Sequence, residues 1–192
     1  MLQLKVIHAS TREGRKGIGI SKWIEQEAKK YPEFEVELVD LKELNLPFFD
    51  EPEHPRFGRY HHQHTKGWSA VVDAADAFIF VTPEYNHGMP ATLKNALDYL
   101  SNEWHHKPVA MVGYGGISAG TRAIQQLKQV TSALKMTAFD GMLLAMPFQQ
   151  ISPEGNFGPT AENVAVAKTM FQELQRLGQG LKTLRPEALS MA

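Results

Sequence analysis

Apolar positions along the chain switch between two periods. Leu2 to Ala9 (LQLKVIHA), Phe34 to Leu41 (FEVELVDL), Ala77 to Val81 (AFIFV), Pro108 to Gly113 (PVAMVG) and Met142 to Met146 (MLLAM) are short apolar runs that read as five strands. Ala77–Val81 is apolar throughout, as a strand buried on both faces should be. Helical spacing fills the gaps. Ile20, Trp23, Ile24 and Ala28 mark a helix within 18–31 that Pro32 stops. Leu93, Ala96, Leu97 and Leu100 share one face behind Pro90, a residue that a first helical turn tolerates. Ile124, Leu127, Val130 and Leu134 mark another helix, and Val164, Ala167, Met170, Phe171, Leu174 and Leu177 a long last one. Strands alternating with helices predict a parallel sheet covered on both faces. Five strands in this length predict a flavodoxin-like three-layer α/β sandwich, strand order 2-1-3-4-5, as a single domain over residues 1–192. The long irregular stretch Asn45–Gly67, rich in proline and histidine, is expected to be a loop ending in a short helix, and its length marks it as functional.

Composition narrows the chemistry. The 192 residues are 43% apolar and 21% charged, ordinary for a globular chain, and the formal net charge is -1. That balance argues against nucleic acid or an anionic membrane as the main partner, and against an acidic electron carrier that docks by charge. There are no cysteines, which removes disulfides, thiolate catalysis, iron–sulfur clusters and cysteine-based zinc sites. The N-terminal apolar run is too short for a signal peptide, no stretch suits a bilayer span, and a cytoplasmic protein is expected.

In an open α/β sheet, ligands bind outside the carboxyl ends of the strands where the strand order reverses, here between the first and third strands. The loops there are the most unusual in the chain. "STREGRKGIG" (10–19) offers the Ser10 and Thr11 hydroxyls, the cations Arg12, Arg15 and Lys16, and Gly14, Gly17 and Gly19 at a helix start. That is phosphate chemistry. It is neither a Walker A loop nor a G-x-G-x-x-G fingerprint, so a monophosphate is favoured over a pyrophosphate. A solvated basic helix start is the plainer alternative for this loop alone. In "TPEYNHGMP" (82–90), Pro83 fixes φ, and the N–H groups of Glu84, Tyr85 and Asn86 are expected to be free for a ligand. Asn86 brings the donor and acceptor that an amide-like ring edge needs. "GYGGISAG" (113–120) adds a glycine platform and Tyr114. A phosphate site, a planar hydrogen-bonding site and a glycine platform together fit flavin mononucleotide (FMN).

"STREGRKG", "LNLPFFDEP", "TPEYNHGMPATLKNALDYL" and "GYGGISAG" resemble the NADPH-dependent FMN reductase family, a flavodoxin-like group that includes quinone, azo-dye and chromate reductases. The likeness runs from the first strand to about residue 125 and is strongest at Pro83-Glu84-Tyr85-Asn86 and the helix behind it. It implies one non-covalent FMN per site. Ser10, Arg12 and the backbone of Gly17, Ile18 and Gly19 would hold its phosphate. Pro83, Glu84, Tyr85 and Asn86 would line the ribityl chain and ring, and Tyr114, Gly115 and Gly116 would close the ring edge. It further implies NADPH or NADH as donor, ping-pong transfer to a quinone, free flavin, azo compound or similar acceptor, and a homodimer or homotetramer. The flavin would carry the chemistry, so no side chain is nominated as catalytic.

The remaining candidates read more plainly. His54, His61, His62 and His64 lie close in sequence, but no carboxylate stands at a ligand spacing from them, and no metal is expected. Trp23 and Trp104 read as packing residues, and Trp68 is open between packing and the site. Two rivals stay open: an FMN-binding electron shuttle reduced by a partner protein, and a non-redox protein that binds a phosphorylated ligand on the same fold.

Overall fold

A computed structural model describes residues 1–185. Its five parallel strands are β1 (Leu2–His8), β2 (Phe34–Asp40), β3 (Ala77–Pro83), β4 (Pro108–Gly115) and β5 (Thr137–Ala145), in the spatial order β2-β1-β3-β4-β5. Its helices are α1 (Ile18–Ala28), α2 (Leu41–Leu44), α3 (Gln63–Asp73), α4 (Ala91–Asp98), α5 (Thr121–Ala133) and α6 (Ala161–Lys182). The flavodoxin-like fold and strand order are as the sequence pattern predicts.

Alternation within β1 sorts the core into two layers. Leu2, Leu4 and Val6 face α1 and α6, packing with Ile20, Trp23, Ile24, Met170, Phe171 and Leu174. Ile7 and Ala9 face the opposite layer, built on α2 to α5, with Trp68, Val72, Leu93, Leu97, Ile124 and Leu127. Both faces of β3 are covered, and all seven of its residues are buried. This explains its unbroken apolar run. Trp68 belongs to packing: it is fully buried, its Nε1 donates to the Ala96 carbonyl at 2.8 Å, and Trp104 lies against it.

The departures from the sequence reading have local causes. The helix at the end of the long loop starts at Gln63, four residues before Gly67, and runs eleven residues. Its start carries few apolar residues, and it begins where Glu51 accepts the His61 and His62 N–H groups at 2.7 and 2.9 Å. Strand β5 begins at Thr137, ahead of the MLLAM run, because it is an edge strand with alternating exposure. A bulge shifts its register against β4 between Met111 and Val112, so that Asp140 pairs with Met111 and Met142 with Val112. Among the described residues no helix is long and apolar enough to cross a membrane.

The long loop is tied down at residues 47–50. Asn95 donates through Nδ2 to the Pro47 carbonyl at 2.7 Å and accepts the Phe49 N–H at 2.9 Å. The Tyr99 hydroxyl lies 3.0 Å from Asp50 Oδ1, which also meets His64 Nε2 at 3.0 Å. The asparagine and tyrosine of the "LKNALDY" helix therefore exist to dock "PFFD". The stitched loop leaves Phe48 84% exposed.

Candidate functional site

The carboxyl ends of β1, β3 and β4 open onto the three expected loops at the reversal of strand order. In the first, Ser10 is buried and its Oγ lies 2.7 Å from the Tyr85 hydroxyl, linking the first loop to the second. Arg12 is exposed at the edge, its guanidinium 5.9 Å from the Tyr85 ring centre. Gly17 starts α1 with no side-chain cap, and the Gly17 and Ile18 N–H groups meet no protein acceptor among the described residues. The Gly19 N–H turns back to the Lys16 carbonyl at 3.3 Å. A Cβ on Gly17 would sit 2.0 Å from the Tyr114 hydroxyl oxygen, so Tyr114 reaches across to the start of α1. Burial pushes its pKa up and keeps the phenol protonated. Three hydroxyls, free helix N-terminal N–H groups and one uncommitted guanidinium thus gather at one point. That donor set fits a phosphate.

Arg15 has a different role from Arg12. It donates to the Ser10 carbonyl and to Asp40 Oδ1, both at 2.7 Å, and closes a second bond to Asp40 Oδ2. Both partners of this pair are mostly buried. Arg15 therefore fastens the loop to the end of β2, and Asp40 also accepts the Lys42 N–H at 3.0 Å to start α2. Beneath them lies His8, fully buried. Its Nδ1 is 2.8 Å from Ser21 Oγ, and its Nε2 has no partner. Burial foremost, with Arg15 adding to it and Asp40 opposing, lowers the His8 pKa to about 4, so the ring is neutral near neutral pH.

The second loop differs from expectation. Asn86 and His87 have φ of 49° and 68°, and Tyr85 and Gly88 exchange both backbone hydrogen bonds at 3.0 Å. This is a type I′ turn, which requires positive φ at both central residues. The Tyr85 N–H is consumed inside it, and Pro83, paired with Tyr114 in the sheet, leaves the donation there to Glu84. Of the three N–H groups expected to be free, only that of Asn86 fits the expectation, on the exposed tip of the turn. The Glu84 carboxylate is turned inward. It accepts from Ser118 Oγ and the Arg122 N–H, both at 3.0 Å, and pairs with the Arg122 guanidinium. Burial works to raise its pKa, but the bonds from Arg122 and Ser118 outweigh it and hold the carboxyl below its ordinary range.

In the third loop the glycines divide. Gly113 and Gly120 pack on each other: a Cβ on Gly120, whose φ is +84°, would lie 2.8 Å from the Gly113 Cα. A Cβ on Gly116 would face open space and one on Gly115 would meet nothing closer than 3.7 Å, so these two leave room beside the backbone. A fourth wall was not expected. The segment after β5 folds back through a short antiparallel bridge, Ile151 with Phe157, and sets the Gly155 carbonyl against Gly19, where a Cβ would stand 2.2 Å away. No sequence signal pointed to it. The Asp40 anchor had one: in the order 2-1-3-4-5 the end of β2 must lie beside the first loop.

Two of the four histidines of the long loop, His61 and His64, have a carboxylate neighbour after all. His61 Nε2 lies 3.4 Å from Glu53 and His64 Nε2 3.0 Å from Asp50. The sequence spacing hid these pairs because the loop doubles back on α3. Among the described residues no group of three or more potential ligands is placed to hold a metal ion.

Comparison with known proteins identifies the family. The profile of the NADPH-dependent FMN reductase family matches residues 2–150. An NAD(P)H-dependent FMN reductase of Schizosaccharomyces pombe is 38% identical over 190 residues, covering 96% of this chain and 94% of its own. One from Saccharomyces cerevisiae is 34% identical over 158 residues, 78% of each chain. Other relatives are named as an azoreductase and as quinone oxidoreductases. Among solved structures, a flavoenzyme NAD(P)H:(acceptor) oxidoreductase from Paracoccus denitrificans superposes with a TM-score of 0.68 at 18% identity, covering 95% of this chain and 98% of that one, which bears on the fold. The chain belongs to the NADPH-dependent FMN reductase family.

Proposed function

We propose that this protein is an NAD(P)H-dependent oxidoreductase that holds one non-covalent FMN at the carboxyl edge of β1, β3 and β4. The phosphate is held by Ser10, Arg12 and the open N–H groups of Gly17 and Ile18, with the Tyr85 and Tyr114 hydroxyls beside it; Gly19, expected to share in this, has its N–H turned back to the Lys16 carbonyl. Pro83, Glu84, Tyr85 and Asn86 form the wall along the ribityl chain and ring, and Gly115 and Gly116 the platform at its edge. The observation that carries this reading is that Ser10 Oγ meets the Tyr85 hydroxyl, the Tyr114 hydroxyl reaches the open start of α1 at Gly17, and the exposed Arg12 lies near the Tyr85 ring. FMN bound there supplies the redox chemistry, accepting a hydride from NADPH or NADH and returning electrons to an acceptor. The protein's part is to hold and orient it. Backbone N–H dipoles favour anionic charge, and no side-chain acid or base is needed.

A single open face over the bound flavin would serve donor and acceptor in turn, which would give ping-pong kinetics. Quinones, azo compounds and free flavin are the acceptors this reading favours, on the names of the relatives. A cytoplasmic location is favoured as well. The exposed Phe48 and Phe49, on a segment that Asn95 of α4 ties down by hydrogen bonds, support a homodimer or homotetramer. The test of the site is a flavin titration. Arg12→Ala should weaken FMN about 10-fold or more, the loss of one charge-assisted contact, and leave riboflavin unaffected. Unchanged FMN affinity would contradict the phosphate assignment.

A further inference from the structure

The geometry points to Glu84 as a positioning residue: its backbone belongs to the wall beside the flavin, while its side chain turns away from the ligand and sets the spacing of the two loops that flank the ring. This rests on the FMN reading above. The Glu84 side chain is 5% exposed, and its carboxylate is fully occupied by the third loop and the first turn of α5, through Ser118 Oγ, the Arg122 N–H and the Arg122 guanidinium. A carboxylate at that place also meets the positive end of the α5 dipole. One turn further along α5, Gln126 Oε1 accepts the Met89 N–H at 2.9 Å. The second loop is therefore fixed to a single face of α5 at both its ends, Glu84 and Met89, with the type I′ turn of Asn86 and His87 held between. Nothing in this brace reaches the phosphate loop. Its link to the second loop is the separate Ser10–Tyr85 hydrogen bond. The hydrogen bonds of the brace thus all lie on the ring side, while Tyr85 and Tyr114 carry the contacts to the phosphate side.

The separation gives a readout other than turnover. Dissociation constants for FMN and for riboflavin, measured by flavin fluorescence on the full chain, distinguish the two supports. Glu84→Gln should weaken both flavins in parallel, by about tenfold, leaving their ratio as in the unaltered protein. Arg122→Ala, at a side chain 48% exposed and so tolerated by the fold, should do the same, and the double variant should be little worse than either single one. Either flavin bound by both single variants as tightly as by the unaltered protein would overturn the assignment. So would selective loss of FMN in Glu84→Gln, which would place Glu84 on the phosphate side. Failure of the unaltered protein to bind either flavin would overturn the FMN reading itself, and this assignment with it.

Discussion

Two arginines three residues apart illustrate what single residues decide. Arg12 is exposed and its guanidinium lies near the Tyr85 ring, whereas Arg15 is locked between Asp40 and the Ser10 carbonyl. Both looked alike in the sequence as cations in a phosphate loop. The distinction needed Asp40, which lies 25 residues beyond Arg15 and meets it only through strand order. Replacing Arg15 with Met should cost on the order of 3 kcal/mol of stability, because it strands a mostly buried carboxylate. Replacing Arg12 should cost almost none, and denaturant midpoints separate the two. His8 adds a pH dependence. Its folded pKa, about 4, is below the ordinary 6.5, so at low pH the unfolded chain takes up the proton first. The stabilisation is complete above about 6.5 and is lost as pH falls towards 4, by an amount on the order of 3 kcal/mol. Urea midpoints followed from pH 7 to 4 should fall, and His8→Gln should flatten that fall (pH range set by the ordinary and shifted pKa). An equally steep fall in the variant would show that other groups control it.

At the scale of elements, the glycines are the clearest test. Gly19 is where α1 meets the Gly155 turn, and Gly67 is an exposed position inside α3 with nothing within 4 Å of a Cβ. Gly19→Ala should destabilise by about 1–3 kcal/mol, since the obstructing atom is a backbone carbonyl. Gly67→Ala should stabilise by about 0.5–1 kcal/mol through helix propensity. Thermal midpoints moving in the same direction would contradict the packing described. The docking of 47–50 on α4 makes a second claim. Asn95→Ala removes two hydrogen bonds to this segment, and chymotryptic cleavage at Phe48 or Phe49 should accelerate while the core stays intact. Helix and strand positions were legible because burial follows their periods. The start of α3 and of β5 was not, because one is polar and held by a distant glutamate just ahead of the helix and the other lies at a sheet edge. The type I′ turn was readable in principle from "YNHG", but proline and asparagine drew the reading towards free donors instead.

For the whole molecule, strand order does most to create the site. The reversal between β1 and β3 brings residues 10–19, 83–88 and 113–120 to one edge, and each loop had announced itself by glycine, proline or hydroxyl content. What stayed hidden was the bracing behind them: Glu84 to Arg122 and Gly155 to Gly19 join residues far apart in the chain through geometry alone, and Arg15 to Asp40 was open to inference only from the strand order. Family membership and the site's donor set converge on a flavin-carrying NAD(P)H oxidoreductase. The most direct measurement is the visible absorbance spectrum of the purified protein, incubated with FMN, before and after NADPH is added without oxygen. The account predicts protein-bound flavin absorbance that bleaches with NADPH. A protein that retains no flavin, or retains one that NADPH leaves oxidised, would contradict it.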